Sequence, residues 1–193
     1  MKAPKYESDP YASDPDPAFR IYYGLFRAII VLLKANLVTS CLKLLVSAID
    51  TLAALESPDY RTSGPRFCQW LDQYAELSKV GITSEELYQT RCAMLHTTGL
   101  DSEGVRAGKC CRLILYKRPA DPADFPTTLL PDRKLVEITE LIQAVGDAID
   151  RFVNSLSQSS EKMATFNDNW RSRFVPDAPS VRLRRHDEEE AAP

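Results

Sequence analysis

From Ala18 to Leu52 the chain repeats apolar residues at helical spacing almost without a break. Ile21, Tyr22, Leu25, Phe26, Ile29, Leu32 and Leu33 cover most of one helix and leave Arg20, Arg27 and Lys34 as a narrow polar stripe. Such a helix has to be covered on nearly all sides. A second series, Val38, Leu42, Leu45, Ile49 and Leu52, steps by four, three, four and three, the seam of antiparallel bundle packing. Lys34-Ala35-Asn36 is either a turn between two helices or a register shift within one. Ser57-Pro58-Asp59 ends the stretch, because the residue before a proline is pushed out of the helical region.

Pro65 suits a first helical turn, and Phe67, Trp70, Leu71, Tyr74 and Leu77 mark a third helix that leaves at Gly81. The next helix has the clearest start in the chain. Thr83 can cap its first turn and Glu86 can reach back to close a capping box. Leu87, Arg91, Met94 and Leu95 then recur at helical spacing, with Gly99 just past the expected end. So short a link makes the third and fourth helices neighbours. The β-prone run CCRLILYK predicts a short strand from Cys110 to Lys117, and the prolines between Pro119 and Pro131 predict a loop. Asp132 is expected to cap the longest helix, along which Leu135, Ile138, Ile142, Val145, Ile149, Phe152 and Leu156 step by three and four. This heptad suits packing inside the monomer or against a partner chain. Phe166 and Trp170 hold a short turn or helix beyond it. The fold class expected is all-α: an up-and-down bundle of about five helices with a short β-prone insertion after the fourth.

With 193 residues the chain suits one domain. Residues 1–17, rich in proline and aspartate, read as a disordered arm, 18–175 as the bundle and 176–193 as a disordered tail, basic then acidic. The N-terminus has no apolar core of the kind a secretory signal needs. Arg20, Arg27 and Lys34 also interrupt the first apolar helix, where a membrane span needs about 20 mostly uncharged residues. The compartment expected is therefore the cytoplasm, with no membrane partner. A net charge of −3 argues against a general nucleic-acid coat, so any anion site must be local. One segment fits that description: Arg106, Lys109, Arg112, Lys117 and Arg118 lie between Val105 and Arg118 with no acidic residue among them. The segment GVRAGK lacks the glycine spacing and the hydroxyl residue of a phosphate loop. Five cysteines without a C-x-x-C pair read as reduced, mostly buried small hydrophobes, with no metal site and no cofactor implied.

Arg91 and His96 share the fourth helix, and His96 is one of two histidines; the other, His186, lies in the tail. A fixed cation beside a group that titrates near neutrality is what acid–base chemistry on a phosphodiester requires. The stretch LYQTRCAMLHTTG resembles the signature of the HEPN superfamily, all-α bundles marked by an arginine, four to six residues and a histidine near a helix end. The matching positions are Arg91 and His96. The resemblance covers 18–158 in outline and only six residues in detail. It implies a metal-independent endoribonuclease, a toxin or defence effector, working as a homodimer with Arg91 and His96 catalytic. An antitoxin or regulatory protein would be a further partner. Arg106, Lys109 and Arg112 would bind the RNA. Many active members carry a polar residue after the arginine, where Cys92 stands. That departure points to the alternative, a non-catalytic HEPN-like module binding nucleotide, RNA or a protein. A third class is a structural dimer joined by the heptad helix.

Overall fold

The computed structural model describes residues 16–96, 102–118 and 132–174; the arm, the proline-rich loop and the charged tail lie outside them. The described residues are mostly helical, with one small two-stranded sheet among them. Asp16 caps α1 (Pro17–Ile21), accepting the Ala18 N–H at 3.1 Å. The same helical run continues through a π turn at Tyr22–Phe26, where the Arg27 N–H reaches back five residues to the Tyr22 carbonyl, and into α2 (Arg27–Lys34). The ambiguity at Lys34-Ala35-Asn36 resolves as a turn. Asn36 takes a left-handed φ of 59°, a conformation asparagine tolerates better than most residues. The chain then enters α3 (Val38–Glu56).

α3 is the central element. Cys41, Leu42, Leu45, Val46, Ile49, Leu52 and Leu55 along it are fully buried. By length and composition α3 could cross a membrane, and 56% of its apolar window is buried inside the fold. Ser63 caps α4 (Gly64–Tyr74), which brings Phe67, Trp70, Leu71 and Tyr74 into the core. The third helix ends at Tyr74, earlier than the apolar pattern suggests. Leu77 belongs instead to a 3-10 turn, Leu77–Val80, closed by Gly81 at a φ of 74°. α5 (Ser84–His96) follows and packs antiparallel on α4: Phe67 meets Tyr88 at 5.6 Å between ring centroids. A Cβ on Gly64 would lie 2.6 Å from the Tyr88 ring, so only glycine allows this approach.

After α6 (Glu103–Arg106), the strand expected at Cys110–Lys117 is present as β1 (Arg112–Tyr116). Its partner corrects the sequence reading. Asp132 does not start a helix; Arg133–Glu137 is a second strand, β2, parallel to β1 with Arg112 opposite Arg133 and Tyr116 opposite Glu137. Leu135 lies in phase with the heptad by coincidence, and the β-branched Val136 favours the strand there. α7 (Ile138–Ser157) therefore starts six residues after Asp132, with the Glu137 side chain accepting the Glu140 N–H at 2.9 Å. Ile138, Leu141, Ile142, Val145, Ile149, Phe152 and Leu156 are all buried within the monomer. The heptad is thus a core seam and is not available as a dimer face. α8 (Ser160–Phe174) closes the core with Phe166 and Trp170 stacked at 5.8 Å.

Candidate functional site around the α5 arginine

The capping box at the start of α5 forms as the sequence suggests. The Glu86 N–H donates to Thr83 Oγ1 at 3.2 Å, and the Thr83 N–H donates to Glu86 Oε2 at 2.9 Å. Lys134 at the start of β2 also binds the Glu86 carboxylate, at 2.8 Å to Oε1 and 2.9 Å to Oε2. Burial works to raise the Glu86 pKa, but Lys134 and the Thr83 N–H outweigh it and hold the carboxyl below its ordinary range. The cap of α5 is therefore also its tie to the sheet.

Two turns further on, Arg91 points toward α3. Its Nε donates to Asp50 Oδ2 at 2.7 Å, and Thr62 donates to Asp50 Oδ1 at 2.9 Å. The two charged side chains are only 18% and 13% exposed, so solvent screens this pair weakly. Burial alone would make the guanidinium easier to deprotonate, and Asp50 reverses this, raising its pKa. The Tyr88 ring lies 6.0 Å from the guanidinium carbon. Hydrogen bonding to Cys92, with burial second, pushes the Tyr88 hydroxyl above its usual range. Asp50 is the site residue that sequence reasoning missed. It lies 41 positions before Arg91, on the polar edge of a helix otherwise read for its apolar seam.

His96 is the last residue of α5; its side chain lies outside the described part of the structure. The helix is regular up to that point, so the Cα atoms of Arg91 and His96 differ by about 140° in azimuth. Within one chain the backbone does not put them on a common face.

The basic segment sits next to this helix. α6 docks on α5 through the Gly104 N–H, which donates to Gln89 Oε1 at 3.2 Å; a Cβ at Gly104 would come within 2.6 Å of the same side chain. Arg106 and Lys109 are exposed on this docked turn, and Arg112 begins β1 half-buried. The other two cations are engaged elsewhere. Lys117 donates to the Leu33 carbonyl at the end of α2 at 2.8 Å, and Arg118 pairs with Glu140 at 2.6 Å. The described cysteines are all free thiols, but only Cys41 is buried; Cys68, Cys92, Cys110 and Cys111 are half-buried, which corrects the expectation for them. Burial and the neighbouring Glu85 push the Cys68 thiol up to about 11, so it is unreactive at neutral pH. Among the described residues no cluster of His, Cys, Asp and Glu is placed to hold a metal.

Comparison with protein-family models, with curated proteins and with solved structures finds no match.

Proposed function

We propose that this chain is a HEPN-like, metal-independent endoribonuclease, a cytoplasmic toxin or defence effector that acts as a homodimer through Arg91 and His96. The observation that carries the reading is α5 itself, a helix that bears Arg91 and ends at His96. The finer fold that goes with it is an up-and-down bundle in which α5 is the motif helix.

Cleavage by the RNA 2′-hydroxyl needs a base to take its proton, an acid to protonate the leaving oxygen and positive charge on the phosphorane. Imidazole fills either proton role near neutrality. Arginine supplies the charge and the directed hydrogen bonds. A twofold dimer would bring two His96 and two Arg91 to one cleft, so that identical residues act as acid and base. The same geometry offsets the angular separation of Arg91 and His96 in one chain. Arg106, Lys109 and Arg112, carried on the segment docked beside α5, would hold the RNA backbone.

One observation favours a second reading, a non-catalytic module that binds nucleotide, RNA or a protein partner: the Nε of Arg91 is already committed to Asp50, as in a structural ion pair. An RNA cleavage assay in EDTA separates the two. The nuclease predicts degradation of single-stranded RNA by the wild type and its loss in both Arg91→Ala and His96→Ala. Equal activity in all three would assign the cleavage to a contaminant. Salt-sensitive RNA retention without cleavage, weakened by joint neutralisation of Arg106, Lys109 and Arg112, is the outcome the binding module predicts.

A further inference from the structure

Away from α5, the end of α3, one face of α4 and the start of α8 enclose an open cleft of about 330 Å³. That is the lower end of the range for small-molecule sites. The α4 wall carries Arg66, Gln69, Trp70 and Gln73, residues that share a face at three- and four-residue spacing. Lys162 of α8 and Glu56 of α3 stand on the other walls. Pro58 adds exposed apolar surface, with the buried Trp70 and Ala53 beneath it.

Both cations are held in place by partners that leave part of their donor capacity unused. A guanidinium has five N–H groups. Arg66 Nη1 donates to Asp59 Oδ1 at 2.5 Å and to the Arg61 carbonyl at 2.7 Å, and Nη2 donates to Asp59 Oδ2 at 3.3 Å. The Nε–H and the second Nη2 hydrogen have no acceptor among the described residues. They form the other edge of the fork, the edge that can grip a second carboxylate with two parallel bonds. Lys162 donates to Glu56 Oε1 at 2.7 Å and to the Tyr74 hydroxyl at 3.0 Å, which uses two of its three hydrogens.

We propose that this cleft binds a small organic monocarboxylate, with its carboxylate on the open edge of Arg66 and the remaining Lys162 hydrogen, and its body against Pro58, above the buried Trp70. A single negative charge fits better than a phosphate dianion. Glu56 and Asp59 already balance the two cations, so what holds the first carboxylate is the unused directed hydrogens of Arg66 and Lys162; a second negative charge finds no further donor of this kind and meets the repulsion of both carboxylates. Gln69 offers an amide donor and acceptor to whatever polar groups the body carries; Gln73 already gives one amide hydrogen to the Tyr74 hydroxyl at 2.9 Å and keeps its carbonyl and its other hydrogen. The site is independent of the α5 arginine, and its occupancy does not bear on RNA cleavage.

The test uses the isotope-labelled full chain, titrated with benzoate, with its neutral analogue benzamide and with inorganic phosphate. Saturable benzoate shifts are expected in the Trp70 indole and the side-chain amides of Gln69 and Gln73. Benzamide should produce no such shifts. Arg66→Gln should weaken benzoate binding about tenfold or more. Gln69→Phe, which fills the cleft from an exposed position and leaves the Arg66–Asp59 pair intact, should abolish binding in a protein that keeps its dispersed spectrum. The proposal is overturned if benzoate gives no saturable shift, if benzamide or phosphate binds as tightly as benzoate, or if neither variant changes the affinity.

Discussion

Asp50 holds Arg91 at a depth where water cannot easily replace it, and that makes the pair testable apart from any activity. Asp50→Asn keeps the shape but removes the charge. It should cost about 1–3 kcal/mol, the penalty for leaving a half-buried charged donor poorly matched. Urea denaturation followed by circular dichroism reads this directly. Under the nuclease reading the same change should also reduce RNA cleavage at constant protein concentration, because the guanidinium loses its fixed orientation. Glu86 gives a second residue-scale prediction. Its folded pKa is depressed below the ordinary 4.5, so its contribution is present above that value and is lost as pH falls through the folded pKa. The urea midpoint should therefore drop on acidification below about pH 4.5, and Glu86→Gln should flatten that dependence while lowering stability at neutral pH. A variant with an unchanged acid slope would show that another carboxylate carries it. Both features differ in how visible they are in the sequence. The capping box is local, three residues apart, and can be read from the chain. The Asp50 contact depends on how two helices cross, which no local pattern encodes.

At the scale of elements, the helices whose apolar residues recur over several turns were the ones that could be read from the chain. α4 and α7 bury the apolar side chains that their spacing assigns to the core, and so does α3 except at half-buried Val38; α5 buries Leu87 and Met94 but leaves Leu95 exposed. What spacing alone could not separate was the start of α7. Leu135 keeps the three-and-four rhythm of the residues after it, yet it belongs to a strand whose hydrogen bonds come from β1, twenty-one residues earlier in register. Pairing with a distant strand outweighed the local rhythm. Because the α7 seam is internal, its truncation should act on the monomer. Phe152, fully buried and in edge contact with Trp70, Tyr74 and Phe166, should lose about 3–5 kcal/mol on change to alanine. That loss should be the same at low and high protein concentration. A concentration-dependent midpoint would instead place the residue at an interface between copies.

For the molecule as a whole, the elements are joined across long stretches of sequence by a few polar knots set into an apolar interior. The Tyr74 hydroxyl donates to Glu56 at 2.6 Å, lies 3.1 Å from Ser155 and accepts from Lys162, so it links α3, α4, α7 and α8 at one point. Tyr74→Phe keeps the ring packing and removes that link. A loss of about 1 kcal/mol is expected, seen as a lower urea midpoint with an unchanged slope. Any dimer the chain forms must meet through a face other than the buried α7 seam. The π turn at Tyr22–Phe26 was not visible in the sequence either, since its apolar residues fit an ordinary helix. Yet it has a consequence for tolerance to deletion. A widened turn takes up one surplus residue while the segments on either side keep their facing directions. Removing Gly24 should let the first helix tighten into uninterrupted α form, with Phe19 and Ile29 still directed inward. The same excision in the middle of α7 would swing everything upstream by about 100° and expose half its seam to water. Shortened proteins of both kinds, compared by solubility and thermal melting, should part company: the first folds and the second does not.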